Sequence, residues 1–96
     1  MNILLIGGTI FYGRHLVEAA LAHGHSVTLF NRGQHNPDLF PELEKLRGDR
    51  TQLSDLQILR DRHWDAVIDT CGYFPHIVQL SAQALADVVA RYIFIS

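Results

Sequence analysis

The residues best suited to chemistry in this 96-residue chain are three glycines, Gly7, Gly8 and Gly13, set behind the apolar run Ile3 to Ile6. Gly7 and Gly8 let the backbone turn sharply and leave room beside it. Gly13 falls where a helix would begin, and its missing side chain lets that helix pack close to the preceding strand. A turn of this kind aims the free N–H groups of a helix start at one spot, and that spot binds anions, typically a pyrophosphate. Three glycines alone are a weak signal. The context strengthens it, because a strand pattern precedes them and an amphipathic helical pattern follows. The bland alternative is a strand-to-helix turn with no ligand.

Three further clusters fall where such a ligand would pass. Ser26 to Phe30 reads as a strand, rich in β-branched and aromatic residues, and it ends at Asn31-Arg32-Gly33. The residue at the tip of the second strand, roughly 20 residues after the glycine turn, meets the adenosine ribose. An acid there accepts the ribose hydroxyls and repels a 2′-phosphate. Asn31 replaces the acid, and Arg32 beside it can form charge-assisted, bidentate bonds to a 2′-phosphate. This favours NADP over NAD, with NAD as the alternative; an exposed loop cation is the plainer reading of Arg32. Asp49 follows Gly48 at the tip of a short third strand, Glu44 to Arg47, where a carboxylate can accept from the adenine amino group or can cap the next helix. Cys71 and Gly72 follow a fourth strand, Asp65 to Thr70, and are expected to line the cofactor channel. A helix start can lower a thiol pKa, yet no histidine partner is identifiable, so Cys71 reads as a small wall residue rather than a nucleophile. Tyr73 and Phe74 either touch a ligand or pack. His23 and His25 have no third ligand nearby in sequence and read as solvated helix-end residues, so no metal is expected.

The elements that hold these groups alternate. A first helix is expected from Tyr12 to His23, with Leu16, Val17, Ala20 and Leu21 on one stripe and Gly24 as its stop. Gln34 to Pro41 is a polar connection. A second helix is expected over Thr51 to Arg60, with Arg60-Asp61-Arg62 as a solvated end. Trp64 is placed at the entry to the fourth strand. A last helix is expected over Pro75 to Ala90, with proline in its first turn, followed by a fifth strand, Tyr92 to Ile95. Strand and helix alternation with right-handed crossovers gives an α/β fold. The expected architecture is a Rossmann-like, doubly wound parallel sheet of about five strands in the order 3-2-1-4-5.

Composition sets the outer bounds. A chain of 96 residues allows one domain, residues 1–96, and 48% apolar content supplies a core. No run approaches the length of a membrane-spanning helix, and the short N-terminal apolar run lacks the basic start of a signal peptide. The net charge of -2 and the lack of a basic patch with interleaved aromatics argue against nucleic acid. The single cysteine excludes an internal disulfide and fits a reducing, cytoplasmic setting.

Four stretches together resemble one family. They are Ile6 to Val17, with Gly-Gly-Thr-Ile-Phe-Tyr-Gly after Ile6; Gly24 to Gly33, ending Asn-Arg-Gly; the triplet Gly48-Asp49-Arg50; and Trp64 to Tyr73, reading Trp-Asp-Ala-Val-Ile-Asp-Thr-Cys-Gly-Tyr. The chain resembles the NAD-dependent epimerase/dehydratase family, the extended and atypical branch of the short-chain dehydrogenases/reductases, over essentially its whole length. The resemblance implies that Gly7, Gly8, Thr9, Phe11, Tyr12 and Gly13 form the pyrophosphate turn. It implies ribose and 2′-phosphate contacts from Asn31 and Arg32, adenine-side positions for Asp49 and Arg50, and a wall near the nicotinamide-side ribose from Cys71 and Gly72. Ile10 departs from the glycine that many members carry, so its side chain must point away from the pyrophosphate.

The resemblance also places the family's catalytic Ser or Thr beyond Ser96 and its Tyr-x-x-x-Lys pair further downstream. Position +4 after Tyr12, Tyr73 and Tyr92 is Leu16, Ile77 and Ser96, so no such pair occurs and no catalytic residue is assigned. The expectation is the NADP(H)-binding N-terminal part of a reductase or epimerase, without its catalytic and substrate region. Its substrate would be a sugar nucleotide or similar carbonyl compound, handled only if a C-terminal part exists. The alternatives are a non-catalytic dinucleotide-binding protein, an RNA-binding member of the same fold, and a nonfunctional product. The fifth strand leaves a sheet edge open, which invites homo-oligomerisation.

Overall fold

The computed structural model describes residues 1–7, 11–31, 43–70 and 75–94, and the backbone alone at 11–14 and 75–77. Its elements run β1 (Asn2–Ile6), α1 (Phe11–Ala22), β2 (Ser26–Asn31), β3 (Glu44–Arg47), α2 (Leu53–Leu56), a 3₁₀ turn (Gln57–Asp61), β4 (Ala66–Asp69), α3 (Pro75–Leu85) and β5 (Tyr92–Phe94). The five strands form one sheet in the order β3-β2-β1-β4-β5, the expected order. All four pairings are parallel, with Ile6 opposite Phe30 on one side and Asp69 on the other.

The unbroken apolar run of β1 has a direct cause. Leu4 and Ile6 enter one core with Phe30, Leu56, Leu59, Trp64, Val67 and Leu85. Leu5 faces the opposite way and joins Val17, Val27 and Leu29 in a second core. Successive residues of a central strand thus meet helices on both faces, so neither face tolerates a polar residue. Burying each such side chain favours folding by about 1.5–3 kcal/mol. The stripe expected on α1 is the one used: Leu16, Val17, Ala20 and Leu21 all pack in the second core.

α1 ends as its sequence dictates. Gly24 takes φ 81°, a conformation that side chains disfavour. His25 N donates to Ala20 O at 3.0 Å and Gly24 N to Leu21 O at 3.0 Å, the paired bonds that close a helix at a left-handed glycine.

Two helices are shorter than expected. The Thr51 to Arg60 stretch forms only the four residues of α2 and a 3₁₀ turn. Asp49 draws Thr51 into a tight turn, accepting from its backbone N at 2.9 Å and its hydroxyl at 2.6 Å. Leu56 and Leu59 are both fully buried, and a three-residue period stacks them on one side. Trp64 Nε1 then donates to Leu59 O at 2.9 Å, withdrawing that carbonyl from any longer helix. α3 stops at Leu85 rather than Ala90. Val88 N returns to Leu85 O at 3.0 Å, and the chain then joins the sheet beside Trp64, with Trp64 N donating to Val88 O and Ala90 N to Trp64 O. Arg60 donates to the Ala84 carbonyl near that helix end. β4 is one residue shorter at each end than expected. Ile95, expected in the fifth strand, lies outside the described residues.

Candidate functional site

The strand order reverses at β1: the chain leaves it toward β2 and later returns on its other side as β4. Ligands of open α/β sheets lie at the carboxyl ends of the strands at such a point. Here the strand tips are fastened to one another. Gly7 takes φ 94°, which favours glycine. Its N–H donates to Phe30 O at 2.9 Å, extending the β1–β2 pairing into the turn. Asn31 Nδ2 donates to Gly7 O at 3.0 Å. The Asn31 carbonyl accepts from Gly48 N at 2.9 Å. On the other flank, Thr70 donates to Ile6 O from both its backbone N at 3.1 Å and its hydroxyl at 2.9 Å.

Asn31 therefore braces two turns at once. Its side chain holds the carbonyl of the glycine turn, and its backbone holds the start of the β3–α2 loop. Gly48 is a second fixed point. A Cβ there would lie 2.8–2.9 Å from the ring of Phe30 and 3.2 Å from Asp55 Cβ. Phe30 is fully buried and its ring has nowhere to go, so the chain passes close only because this residue is glycine.

Asp49 follows at the tip of β3. Asp55 accepts from its backbone N at 2.8 Å, and its own carboxylate shapes the Thr51 turn. Asp49 does not cap α2, whose N-cap is Gln52 with no side-chain cap bond; its carboxylate instead shapes the turn at Thr51, ahead of the helix. Arg50, the other residue expected on the adenine side, turns its side chain inward. Its guanidinium runs into the interior, ion-paired with Asp69 and donating to Ser81 Oγ at 2.8 Å. Tyr92 OH donates to the other Asp69 oxygen at 2.7 Å. Burial first, then the bond to Asp69 and the charge of that carboxylate, hold the Tyr92 phenol well above its ordinary range. An ion pair so enclosed is stabilising only as a complete set, because removing one partner strands the other charge.

Asp69, Ser81 and Tyr92 were not recognised as a polar cluster from sequence. A signal existed for one of them. A carboxylate inside the strand Ala-Val-Ile-Asp is expected to be buried, and a buried carboxylate needs a partner. Nothing in the sequence says which cation supplies it.

The structure brings Gly7, Asn31 and Asp49 to one edge of the sheet, and α1 starts behind the glycine turn at Phe11. The first turn of α1 holds no acidic residue to oppose an anion. Phe11, Tyr12 and Gly13 occupy that turn. Gly8, Thr9, Arg32, Cys71 and Gly72 lie outside the described residues, as do Ile10, Tyr73 and Phe74. Among the described residues no group of three His, Cys, Asp or Glu side chains converges as a metal site.

The opposite edge of the sheet carries a shallow groove lined by Asn2, Thr28, Glu44, Arg62, His63 and Trp64. Arg62 bonds Glu44 at 2.6 Å and stacks over Trp64 at 4.5 Å. Together with Arg60, which reaches Ala84, it forms local pairs rather than a cationic patch, in keeping with the expected solvated end.

A strand–glycine turn–helix start at the switch point of a parallel sheet defines a nucleotide-binding α/β domain. The profile of the NAD dependent epimerase/dehydratase family matches residues 3–91, and the chain belongs to that family. A curated relative, an isoflavone reductase homolog of Lupinus albus, is 29% identical over 88 residues, covering 92% of this chain and 24% of its own length. The fold is shared with a UDP-glucose 4-epimerase of Thermotoga maritima solved with UDP-glucose, at TM-score 0.82 and 17% identity, over 98% of this chain and 37% of that one. A short-chain dehydrogenase/reductase of Veillonella parvula aligns at TM-score 0.80 and 16% identity, over 99% and 46%. A UDP-glucose 4-epimerase of Thermus thermophilus in complex with NAD aligns at TM-score 0.77 and 16% identity, over 92% and 34%. The chain thus spans about a quarter of the curated relative and a third to a half of these structures. Membership of the family implies a nicotinamide dinucleotide as cofactor. Among the described residues no helix is long and apolar enough to cross a membrane.

Proposed function

We propose that residues 1–96 are the NADP(H)-binding N-terminal portion of a reductase- or epimerase-like short-chain dehydrogenase. The observation that carries this reading is the joining of Gly7, Asn31 and Gly48 at the switch point, ahead of a helix start free of acids. Gly7 fits a closely approaching pyrophosphate, because its positive φ and missing side chain leave the turn open. Asn31 stands at the ribose position without the negative charge that would repel a 2′-phosphate, and Arg32 follows it to supply a bidentate cation. Asp49 is assigned to the adenine side, and Cys71 and Gly72, which follow Thr70 in sequence, to the nicotinamide side. The bound nicotinamide would carry the hydride; these residues bind and orient it. The substrate is a sugar nucleotide or similar carbonyl compound, processed once a C-terminal part supplies the catalytic groups. The single cysteine fits a reducing, cytoplasmic setting.

The test that separates cofactor choice from fold is a thermal-shift titration with NADPH and NADH on the chain and on R32A. NADPH is expected to bind about tenfold or more tightly than NADH, by one charge-assisted bidentate contact, and R32A is expected to remove the difference. An unchanged preference in R32A would leave Arg32 an ordinary loop cation.

A further inference from the structure

We infer that Arg50 is a positioning residue: its ion pair with Asp69 and its bond to Ser81 fix the adenine-side loop to the tip of β4, holding the two halves of the dinucleotide crevice in register. The inference rests on the dinucleotide reading and adds a device to it. Arg50 belongs to the loop that begins at Gly48 and carries Asp49, on the β3 side of the sheet. Asp69 is the last residue of β4, opposite Ile6 in the β1 register and followed in sequence by Thr70, Cys71 and Gly72. β2 and β1 lie between these two places. Three strand spacings amount to about 14 Å, so one long side chain and its loop reach from the β3 side to the tip of β4 along the face of the sheet that α3 covers.

The geometry is that of a strut. The guanidinium is a planar fork with several donors, and it is anchored twice, on the Asp69 carboxylate and on Ser81 Oγ of α3. Asp69 is fixed in turn by the Tyr92 hydroxyl of β5. The Arg50 side chain is 10% exposed and that of Asp69 fully buried, so water and salt do little to loosen the pair. Four elements, the β3–α2 loop, β4, α3 and β5, meet at this one cluster. An apolar contact would hold them together as well, but it would not set the loop's distance from β4 with the same directional precision.

A dinucleotide is two linked ligands, and linkage strengthens binding only where both halves seat together. A positioning strut should therefore matter for the whole dinucleotide and not for its adenosine half alone. Residues that merely stabilise the fold would show no such split. The experiment is calorimetric titration of NADPH and of adenosine 2′,5′-bisphosphate onto the wild-type chain, R50M and the double variant R50M/D69L. The double variant removes both charges of the pair and so leaves no stranded carboxylate in the interior. The expected result in either variant is NADPH affinity weakened by about tenfold or more, with the bisphosphate within about twofold of wild type. S81A, which loses one anchor, should fall between. Equal weakening of both ligands, or no change in either, overturns the positioning role while the dinucleotide reading stands. Where R50M fails to fold, the double variant decides. A wild-type chain that binds neither ligand overturns the dinucleotide reading and this inference with it.

Discussion

Asn31 shows how much one side chain at a strand tip can decide. Its amide nitrogen donates to the glycine-turn carbonyl at 3.0 Å, a bond that a carboxylate cannot make. Placing Asp there, the residue type that reads ribose hydroxyls, would set two acceptors against each other. N31D is therefore predicted to weaken NADPH and NADH alike, by about tenfold for a lost bond worth 1–3 kcal/mol, rather than to convert the site to NAD. Parallel fluorescence titrations check this; a gain in NADH affinity would contradict it. Tyr92 makes a second prediction at this scale. Its phenol is raised above the ordinary 10.0 by burial and by Asp69. The unfolded chain releases that proton first as pH rises, so the folded state holds more protons above pH 10.0 and stability falls there. Urea unfolding across that range should show a declining midpoint in wild type and a shallower decline in Y92F. Parallel slopes would contradict the assignment.

Among the elements, those with a strong period were legible from sequence and those shaped by side-chain bonds were not. β1, β2 and α1 declare themselves by an apolar run, a β-branched run and a four-residue stripe. Alternation and handedness give a parallel sheet, and the strand order followed from placing the glycine turn at its centre. β3 was legible despite its polar sequence because Gly48 and Asp49 mark its end; as an edge strand it needs no apolar alternation on both faces. The second helix was read too long because Leu53, Leu56 and Leu59 suit either a helical or a three-residue period. The choice is made by Asp49 on Thr51 and by Trp64 on Leu59, bonds that sequence spacing does not reveal. The last helix was overrun for a similar reason: Val88 and Val89 continue its apolar stripe, yet the backbone around them pairs with Trp64. At the candidate site, the turn at Gly7 was legible from its glycines, but the bond from Asn31 to the Gly7 carbonyl and the inward course of Arg50 were not, because sequence spacing does not reveal which way a polar side chain turns.

At the scale of the molecule, the sheet is covered on both faces, and β3 and β5 are its two edge strands. β5 pairs with β4, and among the described residues nothing pairs with its other edge. Ile93 and Phe94 on that strand are 40% and 42% exposed. A bare strand edge with apolar side chains templates further pairing, so the 96-residue chain is predicted to self-associate. Light scattering over a dilution series should show mass falling toward 10.9 kDa only at low concentration; a monomer throughout would contradict it. Dinucleotide binding is expected instead at the carboxyl ends of the strands, where Gly7, Asn31 and Asp49 come together, and is followed by backbone amide resonances of the chain during titration with NADPH. Gly7, Asn31 and Asp49 are expected to shift together, with Asn2, Ser26 and His63 at the opposite edge unmoved. Shifts confined to that opposite edge, or none at saturating NADPH, would contradict it.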